Sequence, residues 1–241
     1  MASNSAGLMA EVSQHGYVLI DHVAEVHDAE EILQRLGEIV PQYDGRKSHE
    51  IRATPGYEGM IHSKTMSDIY VHTEAPGWDP VPRYLALYSH AQARCGGGHT
   101  TLCDGLRLLE DLSEDEKRLV YKTKIDFPGP YGQARKPAWT IRESIASQTS
   151  DGDLILRFSY THLTFGDYTP PAGKQVASEA LPLGKAGVAL ASHATRFFEE
   201  NHLPILIPDK GLLIWDNWRM LHGRSAYTDK RRHLTRYFVQ P

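Results

Sequence analysis

Two cysteines in 241 residues, Cys95 and Cys103, are too few to frame a disulfide-built fold, and they lack metal-ligand spacing. Both read as ordinary reduced residues of a cytoplasmic protein. No apolar stretch approaches the roughly 18 residues that a bilayer span needs, and residues 1–14 lack the charged start and apolar run of a signal peptide. No membrane role is expected. A basic surplus is missing as well, since 26 Lys and Arg stand against 30 Asp and Glu for a formal charge of −4. That balance argues against a nucleic-acid partner, because phosphate binding is driven by Lys and Arg. The one basic cluster, Lys230-Arg231-Arg232, suits a solvated turn better than a binding patch. There is no internal repeat, no low-complexity segment and no dividing linker, so residues 1–241 are expected to form a single domain.

What the chain does have is many short strand-like runs separated by turn residues. Residues 15–20 read as a strand. Asp28 with Glu31 three positions on is a helix-start pattern, and Ile32, Leu33, Leu36, Ile39 and Val40 recur at helical spacing up to Pro41. Two short helices are expected at 106–112 and after Ser113, which has Glu116 three residues on. Strands follow at 122–127, 139–146 and 153–163, with Ser150-Asp151-Gly152 as a hairpin turn before the last. Residues 185–201 form the longest helix candidate. The remainder, 204–208, 211–215 and 232–239, is strand-like. This succession predicts a mostly β fold with flanking helices, an antiparallel double-sheet barrel packed by helices.

The chemistry centres on Ile69-Tyr70-Val71-His72-Thr73-Glu74. Side chains alternate along a strand, so His72 and Glu74 are expected to point the same way. With 13 His and 30 acidic residues, chance alone supplies roughly 1.6 His-x-acid triplets, so the triplet gains weight only from its company. A second histidine would complete the two-His-one-carboxylate set used for non-haem Fe(II). His222, in Asp216-Asn217-Trp218-Arg219-Met220-Leu221-His222-Gly223-Arg224, can supply it. Arg232 and Arg236, four apart on the last strand, share a face with Leu234 and Phe238. The glycines of Gly96-Gly97-Gly98-His99-Thr100 allow a close backbone approach, and the run lacks the Gly-Lys-Ser/Thr ending of a phosphate loop.

Taken in order, His72-Thr73-Glu74, Gly97-Gly98-His99-Thr100, residues 216–224 and the Arg232/Arg236 pair resemble the Fe(II)/2-oxoglutarate-dependent dioxygenases of the TauD/TfdA and clavaminate-synthase-like superfamily. The likeness extends over about residues 16–240. It implies a double-stranded β-helix (jelly-roll) core, with His72, Glu74 and His222 as iron ligands. It also implies that Thr100 and Arg232 hold the far carboxylate of 2-oxoglutarate and that Arg236 meets an acid group of the substrate. A guanidinium suits a carboxylate because it can make two parallel hydrogen bonds.

The implied reaction uses O2 to oxidise, most simply to hydroxylate, an unactivated C–H bond of a small polar substrate, with release of succinate and CO2. Glu74 stands where most of the family has Asp. That resembles the amino-acid-oxygenase branch and leans the substrate toward an amino acid or a derived metabolite. Two rival readings remain, a zinc hydrolase on the same ligands and a silent small-molecule-binding barrel. The first has no use for a strand bearing Arg232 and Arg236. An intact triad disfavours the second.

Overall fold

The structure is a computed structural model that describes residues 5–130 and 137–241. In chain order its first half holds α1 (Ser5–His15), β1 (Tyr17–Ile20), α2 (Val26–Gln34), β2 (Glu38–Val40), β3 (Ser48–Arg52), β4 (Ile69–His72), β5 (Tyr84–Ala91) and β6 (Thr100–Asp104). The second half holds α3 (Gly105–Asp111), α4 (Glu114–Lys122), β7 (Lys124–Pro128), β8 (Thr140–Ser144), β9 (Ala146–Gln148), β10 (Leu154–Leu156), α5 (Tyr160–Phe165), α6 (Gly184–Asn201), β11 (Leu203–Ile205), β12 (Leu212–Asp216), β13 (Met220–Arg224) and β14 (His233–Gln240). The described chain is thus mostly sheet with six helices.

Two antiparallel sheets carry the architecture. The larger runs β1-β12-β5-β14-β2, with β3 also paired to β14, and the smaller runs β11-β6-β13-β4. Strand alternation sorts the side chains into three layers. Leu85 and Leu87 of β5, Leu213 and Trp215 of β12, and Leu234 and Phe238 of β14 pack inward against Leu102 and Met220 of the smaller sheet. Their neighbours Tyr84, Ala86, Leu212, Ile214 and Tyr237 face the other way, against Leu8 and Val12 of α1 and Ala29 and Leu33 of α2. On the far side, Val71, Cys103 and Leu221 of the smaller sheet meet the helical layer through Leu108, Leu190, Ala194 and Phe198.

Several expected elements stand as drawn. The Ser113–Glu116 capping box opens α4, α6 covers the predicted residues 185–201, and Gly152 turns between β9 and β10 with a φ of 89°. Others differ for tertiary reasons. The predicted helix through Val40 stops at Gln34, because Ile39 and Val40 pair with Val239 and Phe238 and satisfy the edge of β14. Asp28 lies inside that helix rather than at its cap, its carboxylate accepting the Glu25 N–H at 3.0 Å.

The expected strand 153–163 ends early. Ser159 caps α5 by accepting the His162 N–H, and Thr73 N–H donates to the Phe158 carbonyl at 2.8 Å. The strand-like runs 204–208 and 211–215 fall in different sheets, since β11 pairs β6 in one and β12 pairs β1 and β5 in the other. Helix α1 lay outside the sequence expectation; its burial rests on Leu8 and Val12.

Candidate active site

The chain brings His72, Glu74 and His222 together, with one potential ligand atom from each lying within 4.8 Å of the others. Register does part of this, because His222 of β13 stands directly opposite His72 of β4. The two imidazole rings are 4.1 Å apart between centroids. Each Nε2 lies 3.7 Å from the same oxygen, Glu74 Oε2. His72 Nδ1 sits 2.8 Å from the Tyr70 carbonyl, which can only accept, so Nδ1 carries a proton and Nε2 is the ring nitrogen turned to the cluster. Burial, and then the neighbouring His72, push His222 down to about 4, so it is neutral at pH 7. Two imidazoles and a carboxylate converging on one point form a donor set that suits a divalent metal.

Glu74 is not on the strand itself. β4 ends at His72, and Ala75 follows at a φ of 53°. Asn217 holds the turn from outside: its Oδ1 accepts the Glu74 N–H at 2.8 Å and its Nδ2 donates to the carbonyls of Glu74 and Pro82, each at 3.0 Å. The side-chain carboxylate is then divided. Oε2 faces the imidazoles, while Oε1 accepts from Tyr43 Oη at 2.5 Å and from Arg236 Nη1 at 2.9 Å. Burial opposes ionisation of Glu74, but Arg236, and then the two neighbouring histidines, outweigh it and hold the carboxyl well below the usual range.

Arg236, expected from the resemblance to meet an acid group of the substrate, has two partners within the protein and also lines the larger of the two cavities that border the triad. It meets the protein's own Glu74, and its Nε donates to Gln42 Oε1 at 2.9 Å. Arg232 and Thr100 do come together. Both are buried and line a cavity of about 70 Å³ that also touches His72, Glu74 and His222, with an apolar side formed by Leu85, Leu87 and Trp215. Arg232 Nε donates to the Gly98 carbonyl at 3.1 Å, its guanidinium lies 5.1 Å from the centre of the Tyr227 ring, and its buried Nη1 has no hydrogen-bond partner. Gly98 has a φ of +80°, and a Cβ there would lie 3.0 Å from Arg232 Cδ. The glycine run thus approaches the Arg232 side chain.

A profile of the taurine catabolism dioxygenase TauD, TfdA family matches residues 2–238. The chain belongs to this family. Among curated relatives, the trimethyllysine dioxygenase of Meyerozyma guilliermondii is 24% identical over 233 residues, which is 94% of this chain and 55% of the relative's length. The chain thus spans little more than half of that protein. Among solved structures, asparagine oxygenase bound to Fe(II), 3-hydroxyasparagine and succinate superposes with a TM-score of 0.75 at 16% identity, over 98% of this chain and 77% of that one. PvcB from Pseudomonas aeruginosa gives 0.68 at 16% identity, over 100% and 81%. OrfP bound to Fe and α-ketoglutaric acid gives 0.66 at 19% identity, over 98% and 78%. These likenesses establish a shared fold.

In this TauD/TfdA chain a second, larger cavity of about 340 Å³ also borders His72 and Glu74. Tyr43, Tyr70, Trp78 and Tyr168 line it with His49, His62, Lys64 and Arg236. Tyr43 and Asn217 had no assigned role in the sequence reading. Asn217 lies within the quoted 216–224 motif and could have been singled out there. Tyr43 sits in a turn-rich stretch that carries no pattern.

Proposed function

We propose that this protein is an Fe(II)- and 2-oxoglutarate-dependent oxygenase that hydroxylates a C–H bond of a small polar substrate, an amino acid or a derived metabolite, releasing succinate and CO2. Its two sheets are read as one double-stranded β-helix, and the chain as one catalytic domain. The observation that carries the reading is the buried Arg232 Nη1, unpartnered beside Thr100 in a small cavity that borders His72, Glu74 and His222. A buried cationic donor left without an acceptor is costly, and a carboxylate brought by a ligand would satisfy it. A zinc hydrolase would have no use for this second anion site.

In this reading His72, Glu74 and His222 hold the iron, which with 2-oxoglutarate and O2 supplies the oxidising power. Arg232 and Thr100 orient the cofactor by its far carboxylate, and Leu85, Leu87 and Trp215 exclude water from its methylenes. Arg236 and Tyr43 fix Glu74 Oε1, so that Oε2 is presented in one direction. The larger cavity, which borders His72 and Glu74, receives the substrate and holds the target carbon in place. Similarity to oxygenases whose structures contain hydroxyasparagine and hydroxyarginine supports an amino-acid-like substrate.

The test is an anaerobic titration of metal-free protein with Fe(II) and then 2-oxoglutarate. A weak visible charge-transfer band of the chelated keto acid is expected, and Arg232→Ala is expected to raise the 2-oxoglutarate concentration required by at least about tenfold, as loss of a buried charged pair predicts. Metal binding with no band at any 2-oxoglutarate concentration would sink the proposal.

A further inference from the structure

We propose that the substrate is a net anion, carrying an acidic group that is received by Lys64 with His49 and His62 on the wall of the larger cavity. This rests on the oxygenase reading above and narrows its substrate. The first observation is the charge of the lining. Among the described residues that line this cavity, Glu74 is the only carboxylate, against Lys64, Arg236 and three histidines, His49, His62 and the triad's His72. Glu74 is already engaged: Oε1 by Arg236 and Tyr43, Oε2 toward His72 and His222. It has nothing left for a cationic substrate. Lys64 has no ion pair among the described residues, and its ammonium lies 5.1 Å from the centre of the Tyr57 ring.

The second observation is that this cation is built in place rather than left on a loose loop. Arg224, the last residue of the 216–224 motif, donates Nη1 to the Ser63 carbonyl and Nη2 to the Thr65 carbonyl, each at 2.8 Å, and also reaches the Ser67 carbonyl. Thr54 N–H holds the Lys64 carbonyl at 2.9 Å, and Tyr227 N–H holds that of Met66 at 2.9 Å. The five carbonyls of residues 63–67 are thereby held by Arg224, Thr54 and Tyr227. A buried guanidinium spent on carbonyls of a short loop makes sense if the position of that loop matters to what the cavity binds.

The third observation is the direction of the donors. The Lys64 N–H donates to His62 Nδ1 at 3.1 Å, so the His62 proton is on Nε2 and that nitrogen can only donate. Burial, and then the Lys64 charge, push His62 down to about 4. His49 is lowered by burial, then by Arg236 and Lys64, and its Nδ1 lies 3.8 Å from the half-exposed Asp44. Two histidines crowded by cations are a site short of negative charge. An acidic group would supply it, whereas a guanidinium or trimethylammonium would add to the excess.

The experiment uses holoprotein loaded anaerobically with Fe(II) and 2-oxoglutarate, and reads the perturbation of the chelate band as amino acids are added. L-Aspartate and L-glutamate are compared with L-asparagine and L-glutamine, and with L-arginine and trimethyllysine. At least one acidic probe is expected to half-saturate at a concentration tenfold or more below its amide, with the cationic probes weaker still. Lys64→Met should erase that margin and Lys64→Glu should reverse the order, while the band itself reports that each variant is folded and loaded. A band that forms but is perturbed no better by the acidic probes than by the amides or cations overturns the inference and leaves the oxygenase reading standing. A band that never forms removes the cofactor reading and this inference together.

Discussion

At the scale of single residues, the site depends on how Glu74 is shared. A lone carboxylate between two imidazoles could turn either oxygen toward them, but Oε1 is held by Tyr43 at 2.5 Å and Arg236 at 2.9 Å. Groups that orient a metal ligand commonly change metal affinity by about 10–100-fold. Tyr43→Phe is therefore expected to weaken Fe(II) binding about tenfold, read by anaerobic metal titration, with an unchanged far-ultraviolet circular dichroism spectrum. An unchanged affinity would mean that Arg236 alone suffices. Asn217 acts on the backbone instead. Asn217→Ala strips a partner from the fully buried N–H of Glu74 and from two carbonyls. Since an unsatisfied buried group costs about 1–3 kcal/mol, a loss of about 3 kcal/mol is expected in urea unfolding of the metal-free protein.

At the scale of elements, β13 and β14 carry most of the chemistry on their inward faces, and irregular segments complete it. β13 presents His222 toward β4, and its last residue Arg224 ties down the loop around Lys64. The segment before β6 closes over Arg232 through Gly98, where the φ of +80° disfavours any side chain and a Cβ would press on Arg232 Cδ at 3.0 Å. Gly98→Ala is expected to cost about 1–2 kcal/mol of strain and to shift Arg232. The 2-oxoglutarate affinity should then fall about tenfold, measured by the chelate band, while Fe(II) affinity stays within about twofold because the triad is not touched.

At the scale of the whole molecule, burial of neutral histidines ties stability to pH. His222 and His62 are each lowered to about 4 from an ordinary 6.5. Between those values the unfolded chain holds more protons than the folded one, so stability falls as pH falls through that window. Glu74, held well below its ordinary value, adds a further loss on acidification below about 4.5. His193 works the other way: its hydrogen bond to Glu116, offset by burial and reinforced by Asp111, raises it, and that stabilisation is lost as pH rises through its raised value. Two large shifts outweigh this one. The urea midpoint of metal-free protein is expected to be lower at pH 5 than at pH 7, and His62→Gln to reduce the difference. Equal midpoints at the two pH values would contradict the burial of neutral His222 and His62.

The sequence by itself determined the elements that rest on short-range chemistry. The His72-Thr73-Glu74 triplet, the 216–224 motif and the Arg232/Arg236 pair were legible because each lies within a few residues of chain. The Ser113 cap and helix 185–201 were legible because caps and apolar periodicity are local signals. Only the tertiary structure decided what depends on distant partners. Tyr43 and Arg236 reach Glu74 from 31 and 162 residues away, and Asn217 from 143. Residues 39–40, helical by spacing, became a strand because β14 offered an unpaired edge. The bond from Arg236 to Glu74 was hidden for a related reason: a buried guanidinium takes the carboxylate that the fold places beside it, and strand alternation specifies only the face from which it points.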